Sequence, residues 1–174
     1  VKNFKPPERL TVSQWAEKNR RLSPESSAEA GPWRNTRTPY LVEIMDAFTD
    51  PKVKKETVVA ASQVGKSEVE LNMIGYIIDQ DPGSTLYVQP TLDDARKFSR
   101  LRIAPMIRDS KPLRKKVSDV KSRDSGNTIL QKSFPGGMLT ITGSNSPSAL
   151  ASTPARYIIG DERDRWASSA GTEG

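Results

Sequence analysis

Neither cysteine nor histidine occurs anywhere in this chain. Without cysteine there are no disulfides and no thiolate metal sites, which fits a reducing compartment. Without histidine, zinc-hydrolase chemistry and imidazole general bases are excluded, so any catalytic base is a carboxylate or a water held by one. Aromatic residues make up only 6% of the sequence. No apolar run approaches the roughly 20 residues that cross a bilayer, and no secretory apolar segment opens the chain. Charge, by contrast, is plentiful and of one dominant sign: 27 Lys and Arg stand against 21 Asp and Glu, a net +6 over 174 residues. That length suits about one domain with a proper core. The positive balance favours polyanionic partners. The chain begins at Val1 rather than Met, and Ser168 to Gly174 reads as a cut inside a loop, so a fragment is expected.

Two short stretches carry chemistry. Ala60-Ala61-Ser62-Gln63-Val64-Gly65-Lys66-Ser67 reads as a phosphate-binding loop, in which backbone N–H groups point into the bend before a helix. Lys66 would reach the β- and γ-phosphates of a nucleotide, and the Ser67 hydroxyl would ligate Mg²⁺. Gln63, Val64 and Gly65 would line the same bend. Tyr157-Ile158-Ile159-Gly160-Asp161-Glu162 is an apolar run ending in two acids. Asp161 suits the metal shell, and Glu162 suits the role of polarising an attacking water. Together the two stretches indicate nucleoside triphosphate hydrolysis with Mg²⁺.

Their context agrees. Thr57 to Ala61 is a β-branched apolar run of the kind a buried parallel strand shows. From Lys66 the pattern turns helical, with Val69, Met73, Ile74, Ile77 and Ile78 on one face. Upstream, a helix is expected over Val12 to Arg21 with Ser13 as N-cap, then a loop from Ser23 to Pro32, then a helix over Thr38 to Phe48 with Pro39 in its first turn. Downstream, a buried strand at Thr85 to Val88 precedes a helix opening at Thr91 or Asp93 and running towards Arg108, bent or divided at Pro105. Lys111 to Asn127 reads as a mobile charged stretch. Thr128–Gln131 and Met138–Ile141 flank Phe134-Pro135-Gly136-Gly137 as a hairpin. Asn145 to Ser152 is a loop or single helical turn, and Arg156 to Gly160 is the last strand. The alternation describes an α/β domain with a mainly parallel sheet and a helical N-terminal extension. The phosphate loop and Asp161-Glu162 should meet at the sheet's carboxyl edge.

Basic residues crowd the stretch from Arg96 to Arg123, with only Asp109 and Asp119 opposing them. This is either a surface that tracks the DNA backbone, with Arg96, Arg100, Lys115 and Lys116 as its contacts, or a solvated helix followed by a basic loop. Phe98 is its single aromatic residue, so base stacking is not its mode.

Several segments resemble the lambda-like phage terminase large subunit, and they fall in that family's order. They are Leu22 to Glu29, Pro32-Trp33-Arg34, Thr38-Pro39-Tyr40-Leu41, Gln63 to Ser67, Gln89-Pro90-Thr91-Leu92, Phe134 to Gly137, Gly143 to Pro147 and Asp161 to Arg165. The resemblance implies a P-loop NTPase core of RecA/ASCE type over residues 38–174, cut after the acidic strand, behind an extension at residues 1–37. It implies an ATPase motor that drives double-stranded DNA into procapsids and works as an oligomer in the host bacterial cytoplasm, away from membranes. A small terminase subunit and the portal are the implied partners, and the parent protein would also carry a nuclease. Tyr40 matches the family's adenine contact and either stacks on the base or is a half-buried helix residue. Trp15 and Trp33 are either anchors for the small subunit or packing residues.

Three departures qualify the resemblance. Ala60 replaces the first glycine of the loop. Ser62 stands where many relatives carry an arginine that stabilises the transferring phosphate, so Arg96, Arg100, Arg156 or a neighbouring subunit must supply that charge. The coupling strand and nuclease domain that follow in the family are missing, so the isolated fragment should turn ATP over weakly. A helicase-like ATPase and a binding module without turnover are the competing functions.

Overall fold

The structure is a computed structural model that describes residues 9–117 and 127–166. Helix α1 (Val12–Asn19) is capped by Thr11, whose hydroxyl accepts from the Gln14 N–H while Gln14 Oε1 accepts from the Thr11 N–H. The expected cap, Ser13, lies inside the helix instead. Only Thr11 has a glutamine at the third helical position to close the reciprocal pair. Ser13 donates its N–H and its hydroxyl to the Asp46 carboxylate, at 3.0 and 2.9 Å. Arg21, expected at the end of the helix, instead opens β1 (Arg21–Leu22), and the expected loop ends in β2 (Gly31–Pro32), which pairs with it in a small ladder. A 3₁₀ turn at Pro39–Leu41 then leads into α2 (Val42–Ala47).

Helix α3 (Lys66–Asp79) is buried nearly all round, including Glu70 and Asn72 as well as the apolar residues. Trp15 of α1 lies so close to Gly75 that a Cβ there would enter the indole ring. Trp15 is fully buried and donates to Asp79, and Trp33 is 5% exposed and donates to Asn35. Both tryptophans are packing residues in this arrangement.

Strand β3 (Thr85–Gln89) is buried along its whole length. Thr91 caps α4 (Leu92–Phe98), which passes through a wider π-turn at Ser99–Ile103 into α5 (Ala104–Asp109). Pro105 brings no N–H to the ladder, and the helix absorbs the gap as a π-turn rather than a break. The expected mobility at Lys111 is corrected: Lys111–Lys116 forms α6, with Pro112 in its first turn and Leu113 fully buried. Residues 118–126 of that stretch, including Lys121 and Arg123, lie outside the described residues. Strands β4 (Gln131–Phe134) and β5 (Gly137–Gly143) form the hairpin, but β4 starts three residues later than its composition suggested. The two-residue turn Pro135-Gly136 pairs Phe134 with Gly137 and thereby sets the register. Helix α7 (Pro147–Ser152) precedes β6 (Tyr157–Gly160).

The main sheet has the order β4-β5-β3-β6. β3 pairs in parallel with both β5 and β6, and only the β4–β5 hairpin is antiparallel. One expectation fails. Thr57 to Ala61 joins no ladder and is exposed, with Val59 at 95%. β-branched composition expresses a preference only where a neighbouring strand and a covering layer receive it, and among the described residues nothing does so here. Among the described residues β4 and β6 are the two edge strands of this sheet, and on β6 Ile158 is 69% exposed.

Candidate functional site

The parallel strands end together. Gln89 lies beside Gly143, and Val88 beside Gly160, so the residues just past β3, β5 and β6 share one edge. Asp161 continues from β6, its N–H donating to the Val88 carbonyl at 2.9 Å. The start of α3 arrives at the same edge, with Lys66 Nζ 2.9 Å from Asp161 Oδ1. The contact is ionic, without a well-aligned hydrogen bond at that oxygen. The loop and the acidic pair therefore meet, as the sequence predicted.

The loop before α3 has a distinctive backbone. Gly65 is its N-cap at φ 92°, and a Cβ at that position would lie 2.9 Å from Leu41 Cδ1. The positive φ calls for glycine there, and an added methyl would also push the end of the Leu41 side chain aside. Among the described non-glycine residues only Gln63 (φ 62°) and Glu162 (φ 45°) are left-handed, one in each half of the site. Backbone strain of this kind gathers where a fixed geometry is required. Among the described residues, the backbone N–H groups from Ser62 to Ser67 make no backbone hydrogen bond of good geometry, although Ser62 and Gln63 form a loose turn. Unpaired N–H groups at a helix start form a concavity suited to an anion. Tyr40 is 59% exposed and its hydroxyl donates to the Val64 carbonyl at 3.2 Å, so it stands against this loop rather than in the core.

A cavity of about 310 Å³ opens beside the loop, lined by Ser67, Gln89, Asp161 and Glu162. Its cationic lining is Lys97, Arg102 and Arg165. None of the sequence candidates for a phosphate-stabilising arginine lines it. Arg96 pairs with Asp93, and Arg100 faces solvent. Arg156 pairs with Asp81 at the opposite, amino end of the sheet. Position within a helical turn decides which basic residue faces inward, and composition is blind to that. Arg102 and the buried Arg20 share the Glu68 carboxylate, with Arg20 at 3.0 Å, while Arg165 holds Glu162.

Behind Asp161 lies a polar network that no motif announced. Gln89 Nε2 donates to Asp161 Oδ2 at 3.1 Å and to the Tyr87 hydroxyl at 2.7 Å, and Tyr87 donates to Glu70 at 2.8 Å. Burial, followed by the charge of Asp161, pushes the Glu70 carboxyl up to about 8, against the opposing pull of Tyr87 and Lys66. Burial alone would lower Lys66. The close contact with Asp161 and the charges of Asp161, Glu70 and Glu162 outweigh it and hold the ammonium above its ordinary range. An acid on the buried face of α3 was the available signal for this network.

The residues offered for DNA contact divide. Arg100 and Lys115 are exposed and meet no carboxylate among the described residues. Arg96 is exposed but paired with Asp93. Lys116 is turned inward, 2.9 Å from the Asp79 carboxylate and bonded to the Asp79 carbonyl at the end of α3.

A model of the phage terminase large subunit gpA ATPase domain matches residues 27–174. The chain belongs to that terminase family. It is 30% identical to the large terminase subunit of Escherichia phage lambda over 131 residues, covering 75% of this chain and 20% of that protein. It is 28% identical to the large terminase subunit of Enterobacteria phage P21 over 129 residues, 74% of this chain and again 20% of the relative. The chain thus spans about a fifth of the length of these curated relatives. No solved structure matches it. Among the described residues, no helix of this terminase domain is long and apolar enough to cross a membrane.

Proposed function

We propose that this domain binds and hydrolyses Mg·ATP as the ATPase core, of P-loop RecA/ASCE type, in a motor that moves double-stranded DNA into procapsids. The observation that carries the reading is the meeting of Lys66 with Asp161, which lines one cavity together with Ser67 and Glu162. The backbone N–H groups from Ser62 to Ser67 would receive the phosphates, and Lys66 would leave Asp161 to neutralise them. The hydroxyl of Ser67 and the carboxylate of Asp161 are hard oxygen donors facing the same space, which suits Mg²⁺. Magnesium, when bound with the nucleotide, supplies positive charge to the β- and γ-phosphate oxygens. Glu162 would orient the attacking water and accept its proton. To do so it gives up Arg165, an exposed pair that holds it weakly.

Lys97, Arg102 and Arg165 are the intrachain sources of the charge that Ser62 does not provide. In the whole protein, a small terminase subunit, the portal and further copies would be partners in the host bacterial cytoplasm, and a nuclease would act elsewhere in the chain. The test is phosphate release with and without double-stranded DNA. Turnover stimulated by DNA and abolished by Glu162→Gln is expected. Tight Mg·ATP binding without phosphate release would assign the domain to binding alone.

A further inference from the structure

The network behind Asp161 closes on itself. Lys66 and Glu70 are one turn apart on α3. Lys66 meets Asp161 at the end of β6, Asp161 accepts from Gln89, Gln89 donates to Tyr87, and Tyr87 returns to Glu70. Tyr87 and Gln89 are alternate residues of β3, so they face the same way, towards α3. Every member on the strand side is nearly sealed from water: Tyr87 is 0% exposed, Gln89 5% and Asp161 5%. A primary amide is suited to this place, because its two N–H groups serve two acceptors at once. One of those acceptors is a carboxylate. The backbone of Gln89 is anchored as well, its carbonyl accepting from the Ser144 N–H at 2.8 Å.

We infer that Gln89 is a positioning residue. Held by Tyr87, it ties up Asp161 Oδ2 and so aims the other carboxylate oxygen, Oδ1, at the cavity as the ligand for the nucleotide's Mg²⁺. This rests on the reading of the cavity as a Mg·ATP site. Asp161 is fixed from several sides: its N–H donates to the Val88 carbonyl of β3, its carbonyl accepts from Trp166 Nε1, Gln89 reaches Oδ2 and Lys66 meets Oδ1. Of the two groups at the carboxylate, Gln89 is buried and the Lys66 side chain is 31% exposed, so Lys66 is the one that can depart when a cation arrives. Partners that orient a ligand from behind commonly matter ten- to a hundredfold in metal affinity.

The experiment measures ATP affinity by calorimetry across a Mg²⁺ titration, with thermal unfolding as a folding control. Gln89→Met keeps the volume and removes both donors. It should raise the Mg²⁺ concentration for half-maximal enhancement of ATP binding about tenfold or more. Affinity for ATP in the presence of EDTA should stay within about twofold of wild type. Tyr87→Phe, which removes only the hydroxyl that braces Gln89, should shift the Mg²⁺ midpoint in the same direction by less, and it serves alone if Gln89→Met does not fold. A wild-type Mg²⁺ midpoint in a folded Gln89→Met or Tyr87→Phe protein overturns the inference, even if its melting temperature falls. If Lys66→Ala binds ATP as wild type does, the nucleotide site itself is misassigned. If Lys66→Ala fails while Gln89→Met behaves as wild type, only the positioning role is lost.

Discussion

Lys66 Nζ stands 2.9 Å from Asp161 Oδ1, so the loop lysine and the acid at the end of β6 neutralise each other across the carboxyl edge of the sheet. Each is thereby held where a nucleotide would need it, and each must be released for one to bind. Lys66→Ala should weaken ATP binding at least tenfold, since about 1.4 kcal/mol is a decade in affinity. It should also lower the melting temperature, because Asp161 is left buried without its counter-charge. Isothermal calorimetry reads the first effect and thermal unfolding the second. Because the folded protein holds the Lys66 ammonium above its ordinary 10.5, the pair adds its stability below that pH. The contribution fades as pH rises through the higher, folded value.

Gly65→Ala tests the loop backbone. The native φ of 92° suits glycine, and the added methyl would press on Leu41. A loss of about 1–3 kcal/mol in stability is expected from the strained backbone. The loop should also present its N–H groups less well, so ATP affinity falls with it. Unchanged denaturation and ATP binding would show that the loop adopts another path.

Much of this site was legible because its signals are local. Val64-Gly65-Lys66-Ser67 followed by helical periodicity locates the loop, and an apolar run ending in Asp161-Glu162 locates its partner. The hairpin announced itself through Pro135-Gly136. The unread parts depend on distant neighbours. Tyr87 and Glu70 are separated by 17 positions and Gln89 and Asp161 by 72, and only the fold brings them together. Thr57 to Ala61 has strand composition, but its pairing depends on what lies beside it. Lys115 and Lys116 are indistinguishable as letters. The helical phase of α6 turns one to solvent and the other to Asp79.

The raised Glu70 carboxyl has a consequence for stability. Its ordinary value is 4.5 and the folded value is about 8. Below the lower value both folded and unfolded chains hold the proton. Between the two, the unfolded chain releases it while the folded chain keeps it, so stability falls as pH rises. Above the upper value the loss is complete. Glu70→Gln keeps the shape and has no proton to lose. Urea denaturation at pH 5 and pH 8 should show wild type losing more stability than Glu70→Gln, by on the order of a few kcal/mol. Identical pH dependence in the two proteins would show that Glu70 ionises normally within the fold.

The basic surface yields the prediction that separates residues of the same type. If the terminase domain follows the DNA backbone, binding is indifferent to sequence and weakens steeply with salt, because condensed counterions are released. Arg100 and Lys115 are exposed and uncommitted among the described residues, so they are free to meet phosphates. Replacing both with Ala should flatten the slope of log affinity against log salt by roughly one unit for each phosphate that is no longer neutralised. Lys116 is already engaged with the carboxylate and carbonyl of Asp79, closing the end of α3 against α6. Lys116→Ala should therefore leave the salt slope alone and lower stability by about 0.5–1 kcal/mol, the range for a cation at a helix C-terminus. Fluorescence anisotropy on duplexes of unrelated sequence, over a series of salt concentrations, reads the slope. A slope that changes with Lys116 and not with Arg100 and Lys115 would mean that DNA approaches from the α3 end of the molecule.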